Sequence, residues 1–159
     1  MICCMLVMMM CSCDSNQVFD KYEPVEKRWH QDSLKVFQFD APDTIRAYNL
    51  FVNIRNTNDY AYNNLYLIVE MQYPNGKVTN DTLQYKMAAP DGTLLGKGFS
   101  GIKENKLWYK GHEQPFKFTE EGSYKVSVQQ AMRKNGIVNG EQLLEGITDV
   151  GFRIEKTTE

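Results

Sequence analysis

Apolar and polar residues alternate along most of this chain, and this alternation limits the folds that the chain can adopt. The pattern extends over five segments, 48–55, 65–72, 82–87, 124–129 and 150–155, with shorter runs at 34–39 and 116–118. Because successive side chains of a strand point to opposite faces of a sheet, such segments are typical of half-buried β-strands. The chain is therefore predicted to be built from strands.

Turn-forming residues separate these segments. Asn75-Gly76 is a hairpin signal because both residues tolerate positive φ, and similar breaks occur at 89–92, 121–122, 135–136 and 139–140. Only 141–144 resembles a helical turn. Seven or more short strands with regular turns predict an all-β fold, an antiparallel β-sandwich or jelly roll, in a single domain of a 159-residue chain.

The cysteines are confined to the start of the chain. All four, Cys3, Cys4, Cys11 and Cys13, lie within an apolar segment that is interrupted only by Ser12 and ends at Asp14. A small residue before a cysteine, after an apolar core, is typical of a lipoprotein signal peptide, although the usual basic n-region is missing. The alternatives are a metal site, which the cysteine spacing does not favour, and a buried first strand.

The lipoprotein interpretation predicts the domain organisation. Residues 1–12 would be the lipoprotein signal peptide, and residues 13–28 would comprise the lipidated Cys13 and a polar tether, although 14–28 could also form an edge strand. Residues 29–159 would form the sandwich. A diacylglycerol on Cys13 with a further acyl chain such as palmitate would hold the domain at a membrane.

Composition and charge exclude several classes of protein. The formal net charge is −2, a balance that gives no strong electrostatic footprint for DNA or RNA, so we expect no nucleic-acid partner. No apolar run reaches the roughly 20 residues of a membrane-spanning helix. The stretch Gly96-Lys97-Gly98-Phe99-Ser100-Gly101 has the form of a dinucleotide-binding motif, but no helical pattern follows it. We therefore expect a glycine loop between strands and no nucleotide.

The search for catalytic chemistry is negative. His30 and His112 are far apart, and no nucleophile or paired carboxylate accompanies the His112-Glu113 dipeptide. Both histidines are expected on loops. We predict that the protein is not an enzyme, that it needs no cofactor and that it binds no metal.

Four residues form a candidate binding surface: Trp108, Tyr109, Arg55 and Arg133. With Tyr60, Tyr62 and Tyr66, the aromatic pair could stack on a sugar or a peptide, and the arginines could contact a ligand. The structural alternative is that the aromatics pack in the core and that the arginines anchor internal hydrogen-bond networks.

Three tripeptides combine Asp, a hydroxyl residue and an aliphatic residue, and they place the hydroxyls at Ser33, Thr44 and Thr82. The form is similar to an O-glycosylation acceptor of exported Bacteroidetes proteins. It is also ordinary turn chemistry. Ser33, Thr44 and Thr82 are therefore candidate modification sites.

Several longer stretches of the chain together match the motifs of one family. The first is Cys13-Asp14-Ser15-Asn16, and the others are Asn53-Ile54-Arg55-Asn56, the run 60–67, the turn 73–76, the glycine stretch 95–98, Gln130-Ala131-Met132-Arg133 and, most specific of all, the closing run 144–154. With these motifs, nearly all of the chain after Cys13 resembles the gliding-motility lipoprotein GldH family of Bacteroidetes.

The resemblance implies a non-catalytic accessory lipoprotein of the gliding apparatus, which in that phylum is linked to type IX secretion. The implied partners are other gliding and secretion machinery proteins and, through the lipid anchor, a membrane. The implied location is the bacterial cell envelope, at the outer membrane, facing the periplasm or the cell surface. Only Cys13 transfers as a functional residue. A cell-envelope β-sandwich module that binds a glycan or a peptide is the alternative.

Overall fold

The computed structural model describes residues 14–134 and 136–158, and the described chain is built entirely from strands and turns. The ten strands are β1 (Gln17–Pro24), β2 (Arg28–His30), β3 (Lys35–Asp40), β4 (Tyr48–Thr57), β5 (Asn64–Gln72), β6 (Val78–Lys86), β7 (Ile102–Lys110), β8 (Ser123–Gln130), β9 (Leu143–Glu145) and β10 (Ile147–Lys156). Over the described residues there is no helix with the length and apolar character needed to cross a membrane.

Two four-stranded antiparallel sheets face each other. The first sheet has the strand order β1-β10-β4-β7, and the second has the order β3-β8-β5-β6. A third, two-stranded sheet pairs β2 with β9. The predicted all-β class and sandwich arrangement are confirmed.

The alternation seen in the sequence becomes the inner and outer faces of the sheets. Along β5, every second residue from Leu65 to Met71 is fully buried, and the residues between them are partly exposed. The interior is rich in aromatic rings. Phe39, for example, lies 5.6 Å from Phe152 across the two sheets and 5.9 Å from Tyr124 within its own sheet. This burial of apolar surface is the main force that holds the sheets together.

The N-terminal boundary differs from the predicted tether. Residues 17–24 form β1, an edge strand that pairs with β10, so the sandwich begins before residue 29. Phe19 explains the difference, because its ring packs 5.4 Å from Phe39 in the interior. Of the two alternatives for this segment, the structure has the edge strand.

Two other local predictions need correction. The expected helical turn at 141–144 is wrong, since Leu143–Glu145 is strand β9 and Leu144 is fully buried. The run 116–118 forms only a single bridge, between Phe116 and Tyr48.

Strand β7 does not show the alternation that marks the other long strands in the sequence. The reason lies at Asn105, which takes an inward position where a strand pattern would have an apolar residue. Its amide is satisfied there because Nδ2 donates to Oδ1 of the buried Asn56 at 2.8 Å.

Candidate functional site

The four residues selected as a binding surface lie in different parts of the sandwich. Arg55 in β4 and Trp108 in β7 lie on the outer face of the first sheet. Tyr109 points inward from β7 and is 9% exposed, whereas Arg133 is exposed and follows β8 of the second sheet. The structure therefore brings Arg55 and Trp108 to one face but does not gather all four side chains.

Trp108 belongs to a row of rings on that face. Its ring centroid lies 4.4 Å from that of Phe51 and 4.8 Å from that of His112. The ammonium of Lys106 lies 4.2 Å from the Phe51 centroid. Because two rings already pack on the indole, a ligand that stacks on Trp108 has to displace the exposed His112 side chain.

Arg55 takes part in a cluster of side chains on the outer face of the first sheet. Its Nε donates to Glu104 Oε2 at 3.0 Å, and its guanidinium lies 3.9 Å from the centre of the Tyr22 ring. The Tyr22 hydroxyl donates to Glu104 Oε1 at 2.8 Å. Burial, and then this hydrogen bond, raise the pKa of Tyr22, so the hydroxyl stays a donor at neutral pH. The cluster ties β1, β4 and β7 together, as the structural alternative for Arg55 predicts.

A second arginine on the same face, Arg153 of β10, is the centre of a larger network. Its guanidinium pairs with Asp14, with Asp20 at 2.7 Å and with Glu155 at 2.5 Å. Glu155 also pairs with Lys106 of β7 at 2.5 Å. Arg153 was not among the predicted site residues, because nothing in its own strand marks it and one partner lies 139 residues away.

Side chains bridge the two sheets along the side where β6 and β7 are the edge strands. The Tyr85 hydroxyl of β6 donates to the Trp108 carbonyl at 2.6 Å. The Tyr109 hydroxyl and the Lys110 ammonium both donate to Asp81 Oδ2, at 3.0 and 2.9 Å. Burial, and then the charge of Asp81, raise the pKa of Tyr109.

A cleft of about 650 Å³ opens beside these bridges. Its walls include Tyr85, Trp108 and Tyr109, and its mouth is formed by the loop that carries His112 and Glu113. The cleft lies between the edges of the two sheets, where part of each aromatic wall is already engaged in the bridges.

The outer edge of β6 offers free backbone groups. The backbone bonds Tyr73 N–Lys77 O (2.8 Å) and Met87 N–Asn63 O (2.7 Å) flank a pairing with β5 that has no bulge. In an antiparallel pair, residues whose backbone groups bond to the partner strand alternate with residues whose backbone groups point away from it. The N–H and C=O groups of β6 that point away from β5 therefore belong to Asn80, Thr82 and Gln84. Among the described residues, 14–134 and 136–158, these groups have no hydrogen-bond partner.

The edge of β7, in contrast, is partly covered by another segment of the chain. Lys97 exchanges both backbone hydrogen bonds with Glu104, at 2.9 and 2.7 Å. The bridge lies in the glycine stretch 96–101, which leads into strand β7 and not into a helix. Gly98 is required there because a Cβ would lie 2.0 Å from the Ile102 carbonyl oxygen. The stretch is thus a loop between strands, and it lacks the helix that a dinucleotide site needs.

Arg133 lines a different cleft, of about 730 Å³, on the outer face of the second sheet. Tyr66, Ile68 and Thr82 contribute to its walls. The neighbouring Lys134 pairs with Glu141 at 3.2 Å. Arg133 therefore lies apart from the cleft that Trp108 lines.

Neither histidine belongs to a group of metal-binding side chains among the described residues. His30 is the last residue of β2, where its Nδ1 accepts from the Asp32 backbone N–H at 3.1 Å, and His112 lies on the loop after β7. Among residues 14–134 and 136–158, no three His, Cys, Asp or Glu side chains come close enough together to hold a metal ion.

The candidate modification sites differ in exposure. Thr82 is exposed on β6, whereas Ser33 and Thr44 are half-buried in turns. A glycosyltransferase would reach Thr82 most readily. The candidate acceptor Cys13 lies outside the described residues.

Comparison with known proteins places the chain among lipoproteins. A family model described as GldH lipoprotein matches residues 17–154. A protein named gliding motility lipoprotein GldH homolog, from Christiangramia forsetii, is 56% identical over 151 residues, which cover 95% of this chain and 91% of that protein. The gliding motility lipoprotein GldH of Flavobacterium johnsoniae is 52% identical over 145 residues, 91% of this chain and 88% of that protein.

The solved structures add little. A chain in a structure of infectious bursal disease virus, Gx strain, aligns with 90% of this chain and 33% of its own length, at a TM-score of 0.32 and 13% identity. A likeness at this level supports no conclusion about fold or function.

Proposed function

The chain belongs to the GldH lipoprotein family, and we propose that it is a lipid-anchored, non-catalytic accessory component of the gliding apparatus linked to type IX secretion. The observation that carries the proposal is the 52% identity over 145 residues to a protein named for gliding motility. The family match extends from β1 to β10, so the whole sandwich is shared.

The anchor is assigned to Cys13. Acyl chains on this residue would hold the sandwich at a membrane of the cell envelope, since each buried methylene contributes about 0.8 kcal/mol to membrane affinity. The membrane in this proposal is the outer membrane. The test is metabolic labelling of the full chain with a tagged fatty acid. We expect label on the wild type and none on Cys13→Ala, and a labelled Cys13→Ala chain would refute the assignment.

The edge of β6 is the part of the sandwich assigned to partner binding. An extended segment of another machinery protein can add to a free strand edge through main-chain hydrogen bonds. The outward N–H and C=O groups of Asn80, Thr82 and Gln84 supply such an edge, and the flanking side chains of β6 are exposed and mostly polar. The occupant is therefore an extended strand of a gliding or secretion protein.

An affinity purification from the envelope of a gliding host tests the docking edge. Proline at position 84 removes an outward N–H without breaking a bond to β5, and edge positions tolerate proline. Gln84→Ala is the matched control, because it removes the same side chain and keeps the N–H.

We expect named gliding or type IX proteins to co-purify with the wild type and with Gln84→Ala, and to be lost with Gln84→Pro at unchanged melting temperature. Equal recovery with all three variants would exclude the β6 edge. Absence of such proteins from the wild-type sample would argue against the machinery role itself.

The cleft beside Trp108 supports a second candidate function, a module that binds a glycan or a peptide. Trp108 is 38% exposed whereas Trp29 is fully buried, so a ligand in the cleft would change the fluorescence of Trp108 alone. Titration with envelope glycans is the test, with Trp108→Phe as the control. A saturable change that Trp108→Phe abolishes would favour this function, and a flat titration would exclude it for the glycans tested.

A further inference from the structure

The start of the described chain is fastened to the first sheet. The Asp14 carboxylate pairs with Arg153, and the Asp14 carbonyl accepts from the Gln17 backbone N–H at 3.2 Å. Two residues later, the Asn16 carbonyl accepts from the Lys156 N–H at 2.9 Å. Asp14 is thus held at one end of the sandwich by bonds on both sides of the turn that leads into β1.

This attachment leaves almost no free length of chain between the proposed lipid anchor at Cys13 and the folded domain. Cys13 is bonded directly to Asp14, and neighbouring Cα atoms lie about 3.8 Å apart. The inference that follows rests on the proposed lipidation of Cys13. With its acyl chains in the hydrocarbon, only a headgroup layer of roughly 5–8 Å separates the hydrocarbon from the protein. The end of the sandwich that carries Asp14 must then touch the headgroups.

A path of hydrogen bonds leads from the anchor to an exposed apolar side chain at the same end. Next to Lys156, the Thr157 hydroxyl donates to the Ala47 carbonyl at 3.2 Å. The turn before Ala47 presents Ile45, which is 78% exposed, and Arg46, whose side chain is 67% exposed.

The turn that presents Ile45 is held firmly. Asp43 Oδ1 accepts from the backbone N–H groups of Ile45 and Arg46, at 2.9 and 2.8 Å, and Oδ2 accepts from the Tyr48 hydroxyl at 2.6 Å. The one carboxylate of the turn is therefore engaged within the turn. An apolar tip beside a guanidinium suits the boundary between headgroups and acyl chains, because the tip enters the apolar layer while the charge stays among the phosphates.

The opposite end of the sandwich lies far from this surface. In the register of β4 and β7, Thr57 pairs with Ile102, at the end of β4 that is remote from Tyr48. A ten-residue strand is about 30 Å long. Phe99, which is 94% exposed, lies in the loop just before Ile102 and thus at the remote end.

We propose that the end of the sandwich formed by the 14–17 turn, the 43–46 turn and residues 156–157 is a membrane-contact surface, with Ile45 inserted among the lipid headgroups and Arg46 on their phosphates. The sandwich then stands upright on the bilayer, and the end that carries Phe99 points away from it.

Site-directed fluorescence on the lipidated protein tests this orientation. Residues 14–159 contain no cysteine, so Ile45→Cys and Phe99→Cys each introduce a single thiol into the processed chain. The full chain is expressed in a host that processes lipoproteins. The product is labelled with a fluorophore and reconstituted into vesicles of phosphatidylethanolamine and phosphatidylglycerol that contain a headgroup-nitroxide lipid quencher. Both positions are exposed, so neither substitution threatens folding.

We expect quenching at position 45 to be at least several-fold stronger than at position 99. A second version carries ten Gly and Ser residues inserted between Cys13 and Asp14, and we expect its quenching at position 45 to fall toward that at position 99. Equal quenching at the two positions would overturn the orientation. Quenching at position 45 that stays strong after the insertion would support it, and would show that the lipid contacts of Ile45 and Arg46 hold the surface on the bilayer without the short tether.

Mass spectrometry of the purified chains separates this proposal from the one on which it rests. A lipidated Cys13 with equal quenching refutes the membrane-contact surface alone. An unmodified Cys13 refutes the anchor and the membrane-contact surface together.

Discussion

Asp43 and Tyr48 form a polar contact between a turn and the core strand β4. The Tyr48 hydroxyl donates to Asp43 at 2.6 Å while its ring is buried, 5.5 Å from Phe118. This hydrogen bond, followed by the one from the Arg46 backbone N–H, lowers the pKa of Asp43 from 3.8 to about 2. Burial, and then the bond to Asp43, raise the pKa of Tyr48 to about 12. The pair therefore stays a neutral donor and a charged acceptor from acidic to alkaline pH.

Removing the hydroxyl should change the acid response of this turn. The folded-state pKa of Asp43 lies below its unfolded value of 3.8, so its stabilising contribution is present above about pH 4 and is lost as pH falls toward 2. In Tyr48→Phe we expect the pKa of Asp43 to rise toward 3.8, measured by carboxyl NMR titration. Tyr60→Phe, which loses a bond to the Asn64 carbonyl instead, is the control. An Asp43 that still titrates near 2 in Tyr48→Phe would contradict the assignment.

Gly151 is required where an aromatic ring crosses β10. A Cβ at this position would lie 2.8 Å from two carbons of the Tyr22 ring, which the bonds to Glu104 and Arg55 hold in place. We expect Gly151→Ala to lower the free energy of unfolding by about 1–3 kcal/mol, as overpacking does. In a Tyr22→Ala background most of this loss should disappear, as measured by urea unfolding. A loss of equal size in both backgrounds would show that the ring is not the cause.

At the scale of elements, the edge strand β1 is joined to the sandwich through β10 and a few side chains. Arg153 of β10 pairs with Asp20 of β1, and the Lys35 ammonium of β3 donates to the Pro24 carbonyl at 2.8 Å. Asp20 and Glu155 expose only 19% and 14% of their side chains. Arg153 thus neutralises carboxylates that would be costly to leave without a cation.

Arg153→Met should loosen β1 more than the second sheet. We expect a loss of about 3 kcal/mol in the free energy of unfolding, because Asp20 loses its cation while Glu155 keeps only its pair with Lys106. Hydrogen exchange should accelerate first in β1. Arg28→Met is the matched control, since its pair with Glu145 is exposed and should contribute less than about 1 kcal/mol. Equal acceleration in β1 and β5 would mean that Arg153 stabilises the fold only globally.

At the scale of the whole molecule, the first sheet depends on both ends of the chain. The C-terminal strand β10 lies between β1, near the N-terminus, and β4. Strand β1 has no strand partner until residues 147–156 are present, and β4 then has only one of its two neighbours, β7. Such long-range pairing makes folding cooperative and slow, because large loops close before the contacts form.

A chain that ends at Gly146 should therefore fail to fold. It loses one of the two central strands of the first sheet and the inward residues Val150, Phe152 and Ile154, which are fully buried. Far-UV circular dichroism and limited proteolysis would measure the loss. A chain shortened only by residues 158–159 is the control and should keep the native spectrum. Native-like strand content in the chain that ends at Gly146 would refute this dependence.

The sequence alone determined the all-β class and the positions of the regular strands, because the alternation of side chains along a strand is a local property that any segment displays by itself. It also indicated the hairpin at Asn75-Gly76 and the loop at 96–101. Strand β7 was not predicted, because its inward Asn105 has its hydrogen-bond partner, Asn56, in another strand, β4.

Tertiary structure decided that residues 17–24 are an edge strand, that Arg153 joins β1, β7 and β10, and that β6 keeps a free edge while that of β7 is partly covered. It also separated Arg133 from Trp108 and placed Ile45 at the same end of the sandwich as Asp14. Each of these outcomes depends on residues that are distant in the chain and adjacent in space. No local pattern encodes which distant residue completes an ion pair or covers an edge.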